Sequence, residues 1–331
     1  MKEQLSDMDK INEVTNQDEK SAPDFKYERD KDPERLQKIA QGIENPKQIS
    51  IEYEGERIQI EYIEVSAKEN GEGKEKVLII IPGFSASYIP YANAVKELAQ
   101  YLGNYRVVCL SPLDSGKSSS LKDSNLNKMN EVYSRAFQKL KIEPDTSEAT
   151  VIGHSRSDII ALELARSHPE IVKNITLVNG VSANEGNLPG LAYDFLKHIN
   201  TDITPARIAG AFKGETEAAR NYWHQNLDFM KNFLNPVRAF NQFKSLADRK
   251  KINLEDLLVQ LKANVLVLSG TKELTDYQDT SKKLYHKLPD DVQKQHRIEA
   301  GGLHDEITAH PEAFALKLKR WLESIEDKKN I

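Results

Sequence analysis

The amino-acid sequence predicts an α/β fold, with a mostly parallel eight-stranded sheet flanked by helices. Short, continuously apolar runs are typical of strands that are buried on both faces of such a sheet. These runs alternate with segments whose apolar residues recur at helical spacing, which favours parallel strands joined by right-handed crossovers. The predicted strands cover residues 49–53, 58–62, 76–81, 105–110, 150–152, 174–178, 263–268 and 296–300.

The chain is predicted to begin with a polar tail and then to form one α/β domain. Residues 1–30 are polar and charged with few aromatics, which predicts a solvated, disordered segment. Residues 31–331 form the predicted domain. Its first element is an amphipathic helix from Asp32 to Asn45, and an antiparallel hairpin with Gly55 in its turn follows.

Further helices connect the buried strands. Periodicity predicts a helix from Pro90 to Gly103, another over 125–141 and a closing helix over 311–325. The single cysteine, Cys109, lies within an apolar strand and is predicted to be an inert buried thiol. One cysteine also excludes a disulfide framework and a cysteine-based metal site.

The pentapeptide at 153–157, Gly-His-Ser-Arg-Ser, is the strongest chemical signal in the chain. It follows the apolar run at 150–152 and leads into helical periodicity that continues to Arg166. In so tight a strand-to-helix turn the central Ser has a strained backbone, and only small residues fit two positions before and after it. A helix beginning there also directs free N–H groups at an oxygen beside the hydroxyl. We therefore interpret Ser155 as a nucleophile.

In these surroundings the pentapeptide resembles the nucleophile motif of the α/β-hydrolase superfamily. The resemblance extends over roughly residues 47–325. The superfamily usually has Gly at the two positions that Ser157 and Asp158 occupy here. Ser is small enough for the turn, whereas Asp158 adds a carboxylate near the helix N-terminus and its role is left open.

The resemblance also implies two backbone N–H groups that hold an oxyanion. One belongs to Arg156, directly after the nucleophile. The other belongs to Phe84, because Pro82-Gly83-Phe84 stands where the superfamily has a His-Gly-x motif after its third strand. Pro in place of His is a departure from that motif, and the alternative is that Pro82-Gly83 is only a turn.

A Ser hydroxyl needs a base to take its proton and a carboxylate to orient that base. The superfamily has them in the order Ser, acid, His, each after a strand. His304 matches the base, since it follows a short strand and Gly-Gly and precedes the last helix. In the superfamily the acid commonly falls three residues after the Gly that ends its strand. Counting from Gly270 gives Glu273 as the acid that the resemblance implies, with Asp276 as second choice and Glu185 behind both.

The alternation of strand and helix patterns stops after Gly180, and this change predicts a lid. No buried strand is recognisable over 181–250, and we interpret 181–235 as a helical insertion over the carboxyl edge of the sheet, where many members of the resembled family carry one. Its aromatics either line an apolar acyl or alkyl pocket or pack only on each other. The aromatic residues of this region are Tyr193, Phe195, Tyr222, Trp223, Phe229, Phe233, Phe240 and Phe243.

The predicted function is a serine hydrolase that cleaves a carboxylic ester or related acyl bond of a small molecule through an acyl-enzyme. This chemistry needs no metal or organic cofactor. Two alternatives are a C–C bond hydrolase or acyltransferase of the same fold, and a catalytically silent ligand-binding protein. Ser rather than Asp at position 155 argues, through the resemblance, against dehalogenase or epoxide-hydrolase chemistry.

Composition and motifs argue against several other classes. A net charge of −5 without a basic block gives no indication of a nucleic-acid or membrane-surface partner. Residues 116–118, Gly-Lys-Ser, look like a phosphate-binding loop, but position 111 is Ser and Pro112 lacks an N–H, so nucleotide binding is rejected. Without an apolar run long enough to cross a bilayer, or an N-terminal signal segment, we expect a cytoplasmic protein. The oligomeric state is left open.

Overall fold

The computed structural model describes residues 29–68, 73–121, 125–180, 228, 231–232, 234–248, 253–270, 275–299 and 306–329. The strands are β1 Lys47–Tyr53, β2 Glu56–Val65, β3 Glu75–Ile81, β4 Tyr105–Leu110, β5 Ser147–His154, β6 Val172–Val178, β7 Asn264–Gly270 and β8 Lys294–Glu299. The α-helices in this part of the chain are α1 Pro33–Glu44, α2 Ala92–Tyr101, α3 Leu126–Lys139, α4 Asp158–Ser167, α5 Pro236–Asp248, α6 Leu254–Val259, α7 Thr275–Lys287, α8 Glu306–Ala309 and α9 Pro311–Lys329.

The eight strands form one sheet in the order β1-β2-β4-β3-β5-β6-β7-β8. Strand β2 runs antiparallel to both of its neighbours, and all the other neighbouring pairs are parallel. In the β1–β2 hairpin, Glu54 and Gly55 have φ of 48° and 78°, as a tight hairpin turn requires. The carboxyl ends of β3 to β8 therefore lie along one edge. The predicted fold class is confirmed.

Each central strand contributes side chains to two hydrophobic cores, because alternate side chains point to opposite faces of the sheet. In β3, Val77, Ile79 and Ile81 pack in one core with α3, α4, α6 and α7. Leu78 and Ile80 pack in the other core with α1, α2, α8 and α9. All five side chains are fully buried. Covering both faces explains why the strand is apolar at consecutive positions.

Two helices begin differently from the prediction. The helix predicted from Pro90 begins as a 3₁₀ turn, Ile89–Tyr91, and becomes α-helical at Ala92. The helix after β5 likewise begins as a 3₁₀ turn, Ser155–Ser157, so α4 begins only at Asp158. The cause at the second site is the positive φ of Ser155, which no residue of a right-handed helix can have.

The described residues test the other predictions to different extents. Cys109 is a free thiol and fully buried, as predicted, and burial raises its pKa well above the ordinary value. Of the predicted tail, only Arg29 and Asp30 lie in the described part, and most of the predicted lid over 181–235 lies outside it. In the ranges described, no helix has the length and apolar character that a membrane span requires.

We predict that Gly42→Ala destabilises the protein. In an exposed helix this change would stabilise by about 1 kcal/mol. Here a Cβ on Gly42 would lie 2.3 Å from the carbonyl oxygen of Glu64, where α1 packs on β2. We expect the free energy of unfolding to fall by about 1–3 kcal/mol, as for other overpacked sites. Urea unfolding measures it, with Gly103→Ala as control, because its Cβ would meet nothing closer than 3.8 Å. A more stable Gly42→Ala variant would contradict this packing.

Candidate active site

The chain turns sharply at the carboxyl end of β5. His154 is the last residue of the strand, and Ser155 begins the 3₁₀ turn with φ of 52°. This left-handed conformation costs an L-residue about 1–2 kcal/mol, so the surrounding packing has to hold it in place. Ser155 is only 9% exposed. The turn therefore fixes a nearly buried Ser at the sheet edge where the parallel strands end.

Only small residues fit around this turn. A Cβ on Gly153 would lie 2.5 Å from the carbonyl oxygen of Ser157 and 2.9 Å from the Cβ of Ala161. Ser157 is fully buried, and its hydroxyl donates to the carbonyl of Pro82 at 2.5 Å. Ser157 thus combines the small size that the turn needs with a hydrogen bond that joins the turn to the loop after β3.

The loop after β3 packs directly on the turn. A Cβ on Gly83 would lie 3.1 Å from the Cβ of Ser155 and 3.1 Å from Nδ1 of His154. The Gly83 N–H donates to the Tyr91 hydroxyl at 3.1 Å, and this hydroxyl is hydrogen-bonded to Nδ1 of His154 at 2.5 Å. The loop, the end of β5 and the start of α2 therefore form one hydrogen-bonded unit.

Of the predicted site residues, Ser155, Phe84 and Arg156 have described side chains, and the structure brings these three together. Phe84 follows Gly83 in the loop that packs on Ser155, and the guanidinium carbon of Arg156 lies 5.8 Å from the centre of the Phe84 ring. His304 and Glu273 lie outside the described residues, as does Glu185.

The topology also places the ends of β7 and β8 at the edge that Ser155 occupies. Strand β7 ends at Gly270 and strand β8 at Glu299, and both run parallel to β5 in the same sheet. Asp276 is the second residue of α7, and only its backbone is described. Within the described ranges there is no group of three or more His, Cys, Asp or Glu residues that could hold a metal ion.

Arg156 places a buried cation beside Ser155. The residue is 3% exposed, and its Nη1 donates to the Ser245 hydroxyl of α5 at 2.9 Å. Its Nε and Nη2 have no hydrogen-bond partner among the described residues. Burial lowers the pKa of the Arg156 side chain, while Tyr133 and Asp114 act in the opposite direction. A guanidinium nevertheless stays protonated at neutral pH.

The sequence analysis missed a polar helix face that closes this side of the site. Gln242 of α5 is fully buried. The Ser85 N–H donates to its Oε1 at 2.6 Å, and its Nε2 donates to the Asp114 carbonyl at 2.9 Å. The one signal in the sequence is the spacing of Arg238, Gln242 and Ser245, which lie on one face of a helix.

Residues just before α5 make similar contacts. The Ser87 N–H donates to Oδ2 of Asp228 at 2.8 Å, and the Gly116 N–H donates to Oδ1 of Asn232 at 3.0 Å. The Arg238 side chain donates to the Gly116 carbonyl at 2.7 Å. These bonds fasten α5 and its preceding residues to the loops that follow β3 and β4.

Asp158, whose role the sequence left open, is completely buried in the first turn of α4. Its Oδ1 accepts from the N–H of Ile159 at 2.7 Å. A Cβ on Gly180, two residues after the end of β6, would lie 2.4 Å from its Oδ2, so a larger residue there would displace the Asp158 carboxylate. A negative charge is favoured at this end of a helix. Asp158 therefore joins the turn to β6.

Comparison with known proteins places the fold among hydrolases. The family model described as alpha/beta hydrolase fold matches residues 76–305. An esterase from Exiguobacterium antarcticum is similar with a TM-score of 0.60 at 15% identity, covering 84% of this chain and 100% of that chain. A thermophilic esterase from Thermogutta terrifontis has a TM-score of 0.62 at 15% identity, covering 84% and 99%. A bromoperoxidase from Bacillus anthracis has a TM-score of 0.60 at 14% identity, covering 84% of this chain and 100% of that chain. At these identities the likeness shows the fold alone.

We predict that Asp114→Asn stabilises the protein at pH 7. Asp114 is 1% exposed, and burial raises the pKa of its carboxyl above 3.8. The folded state therefore binds this proton more tightly than the unfolded state, and stability is lost as pH rises from 3.8 through the folded pKa. Asn avoids that loss, can still accept the Asn241 hydrogen bond and tolerates the φ of 68° at this position.

Urea unfolding at pH 7 and pH 4 measures the effect. The gain should be present at pH 7 and should shrink towards pH 4. Asp145→Asn, at an exposed loop position, is the matched control and should not reproduce that difference. An Asp114→Asn variant less stable than the wild type at pH 7 would show that the ionised carboxylate stabilises the fold.

Proposed function

The chain belongs to the alpha/beta hydrolase fold family, and we propose that it is a serine hydrolase with Ser155 as its nucleophile. The observation that carries the proposal is the positive φ of Ser155 between β5 and α4. In this position a hydroxyl is held clear of both the strand and the helix, at the edge where substrates reach the sheet. The fold and its esterase neighbours support hydrolase activity. We propose carboxylic esters or related acyl compounds as substrates.

His304 is the proposed general base. It follows β8 by five residues, and β8 ends at the same sheet edge as β5. Three of the described histidines are engaged elsewhere, which supports this choice. His154 is bonded to Tyr91, His168 to the Ser134 hydroxyl at 2.7 Å and His296 to the Ser269 hydroxyl at 3.1 Å. Burial also lowers the pKa of His296 to about 4, so its ring is neutral near pH 7.

Glu273 is the proposed acid that orients His304. It follows the end of β7 at Gly270 by three residues and precedes the start of α7 at Thr275. Asp276 lies within the first turn of that helix, where an acidic residue has a structural reason to occur because it interacts favourably with the helix dipole. This difference favours Glu273 over Asp276.

The proposed mechanism passes through an acyl-enzyme. Ser155 attacks the acyl carbonyl carbon while His304 accepts the hydroxyl proton, and His304 then gives that proton to the departing group. A water deprotonated by His304 then attacks the acyl-enzyme, the bond from Oγ of Ser155 to the acyl carbon breaks, and His304 returns the proton to Ser155 as the acid is released. The N–H groups of Phe84 and Arg156 are the proposed oxyanion donors, each worth roughly 3 kcal/mol in the transition state. The packing of Gly83 on Ser155 supports the first donor.

The proposal includes a lid formed by residues 181–235. Support comes from two described residues near the end of this segment. Asp228 and Asn232 bond to the N–H groups of Ser87 and Gly116, and α5 continues these polar contacts. A segment fastened in this way after β6 would lie above the edge where Ser155 is found.

We predict that a fluorophosphonate labels the wild-type protein on Ser155 alone. Ser155→Ala should give no adduct, and His304→Ala should be labelled much more slowly, because the hydroxyl loses its base. Ser167→Ala is the matched control, since its hydroxyl only accepts from Asn130 at the far end of α4. Intact-mass and peptide mass spectrometry measure the labelling. An adduct on a different residue, or undiminished labelling of His304→Ala, would exclude the proposed pair.

A second prediction concerns the acid. Glu273→Gln should lower kcat for an ester by about 10⁴-fold, because the base loses its correct tautomer and orientation. Asp276→Asn should leave kcat near the wild-type value. Initial rates with short p-nitrophenyl esters measure both. If instead Asp276→Asn abolishes activity and Glu273→Gln does not, the assignment to Glu273 is wrong.

A further inference from the structure

The Arg156 side chain has hydrogen-bond donors that its contacts with the described residues leave unused. Position and orientation are fixed by two contacts, with the Ser245 hydroxyl at 2.9 Å from Nη1 and the Phe84 ring centre 5.8 Å from the guanidinium carbon. The opposite edge of the guanidinium, formed by Nε and Nη2, has no hydrogen-bond partner among the described residues. A buried donor without a partner is unfavourable, and a charged one is more so.

No residue in the described ranges supplies the missing partner. The acidic groups that act electrostatically on Arg156 are Tyr133 and Asp114. The Tyr133 hydroxyl instead accepts from the Leu113 N–H at 3.2 Å. Oδ1 of Asp114 accepts from Asn241 at 3.0 Å, and its Oδ2 has no hydrogen-bond partner there. Among the described residues the cation is therefore buried without a direct ion pair, an arrangement that is unfavourable unless another group completes it.

The geometry points to a carboxylate of the substrate as the ligand of Arg156. We therefore propose, on the premise that Ser155 is the nucleophile, that this protein prefers acyl substrates that carry a carboxylate near the scissile bond, such as monoesters of short dicarboxylic acids. Nε and Nη2 present two parallel N–H groups, the fork that matches both oxygens of a carboxylate. Nη1, on the other edge, is the nitrogen that Ser245 already uses.

The position of Arg156 sets where the carboxylate has to be. Its Cα follows that of Ser155 at the ~3.8 Å spacing of neighbouring residues. Its guanidinium lies over the ring of Phe84, the residue that would hold the carbonyl oxygen. A carboxylate bound there is separated from the reacting carbonyl by a short spacer. In a site removed from water such an ion pair is much stronger than in bulk solvent.

The test compares kcat/KM for an anionic ester and its neutral counterpart, monomethyl glutarate and dimethyl glutarate. The wild type should favour the monoester at least tenfold, mainly through a lower KM. Arg156→Gln should abolish this preference, and Arg156→Lys should keep only part of it, because it retains the charge without the fork. Butyryloxyacetate and its methyl ester form a second arm that places the carboxylate on the leaving group. A preference in one arm only identifies which part of the substrate Arg156 contacts.

Three further variants sharpen the comparison. Arg166→Gln is the matched control, because Arg166 lies in the last turn of α4 and pairs with Glu163 of the same helix. The preference of this variant should equal that of the wild type. Asp114→Asn should increase the preference for the anionic ester by removing a competing negative charge. Arg156→Met should unfold at a higher temperature than the wild type without ligand, since an uncompensated buried charge is removed. If Arg156 served only to stabilise the fold, Arg156→Met would instead unfold at a lower temperature than the wild type.

The outcomes separate this inference from the proposed function. Hydrolysis of both glutarate esters at equal rates, or an unchanged preference in Arg156→Gln, would overturn the carboxylate assignment and leave the serine hydrolase intact. If neither ester is hydrolysed, calorimetry of glutarate binding to Ser155→Ala still tests the site. Binding should weaken at least tenfold when Arg156→Gln is added, and equal binding would overturn the inference. Absence of fluorophosphonate labelling would count against the hydrolase alone.

Discussion

The left-handed conformation of Ser155 is the constraint on which the rest of this edge depends. With φ of 52°, the chain leaves β5 and begins a helix without an intervening loop. Such a turn persists only if its neighbours give it space, and three glycines do so. Gly153 lets the turn close, Gly83 lets the loop after β3 approach, and Gly180 makes room for the Asp158 carboxylate. Segments from β3, β5 and β6 thereby converge on one hydroxyl.

Polar side chains of α5, rather than an apolar lining, are the second feature that shapes the edge around Ser155. Helix α5 buries Gln242 against the loops after β3 and β4, where it bonds to Ser85 and Asp114. It also buries Ser245, whose hydroxyl accepts from Arg156. Of the aromatics grouped in the sequence analysis, Phe243 packs against Phe84 with ring centres 5.0 Å apart, whereas Phe240 is 67% exposed. The other six aromatics of that group lie outside the described residues.

Much of the fold could be predicted from the sequence because apolar runs and Gly positions report local physics. Strand β3 is apolar at positions that face both cores, and Gly153 marks a place where a Cβ does not fit. The burial of Gln242 and of the Arg156 guanidinium could not be predicted in this way. A polar residue on a helix is ordinarily exposed, and only the tertiary partners of α5 determine that these two are not.

The parts of the site that could not be predicted from the sequence have the same physical origin. Ser155 was identifiable because a strand, a turn and a helix that are consecutive in the chain define it. The acid is not set by any such local pattern, since Glu273 and Asp276 both follow β7 closely and spacing alone separates them. The binding role inferred for Arg156 depends on which of its nitrogens already have partners, and that information exists only in three dimensions.

A crystal structure of the fluorophosphonate adduct tests whether Ser155 is the nucleophile and whether the N–H groups of Phe84 and Arg156 hold the tetrahedral oxyanion. The account predicts phosphorus bonded to Oγ of Ser155, with the phosphoryl oxygen about 2.7–3.1 Å from the backbone nitrogens of Phe84 and Arg156. An adduct on Ser155 whose phosphoryl oxygen points away from both N–H groups would contradict it.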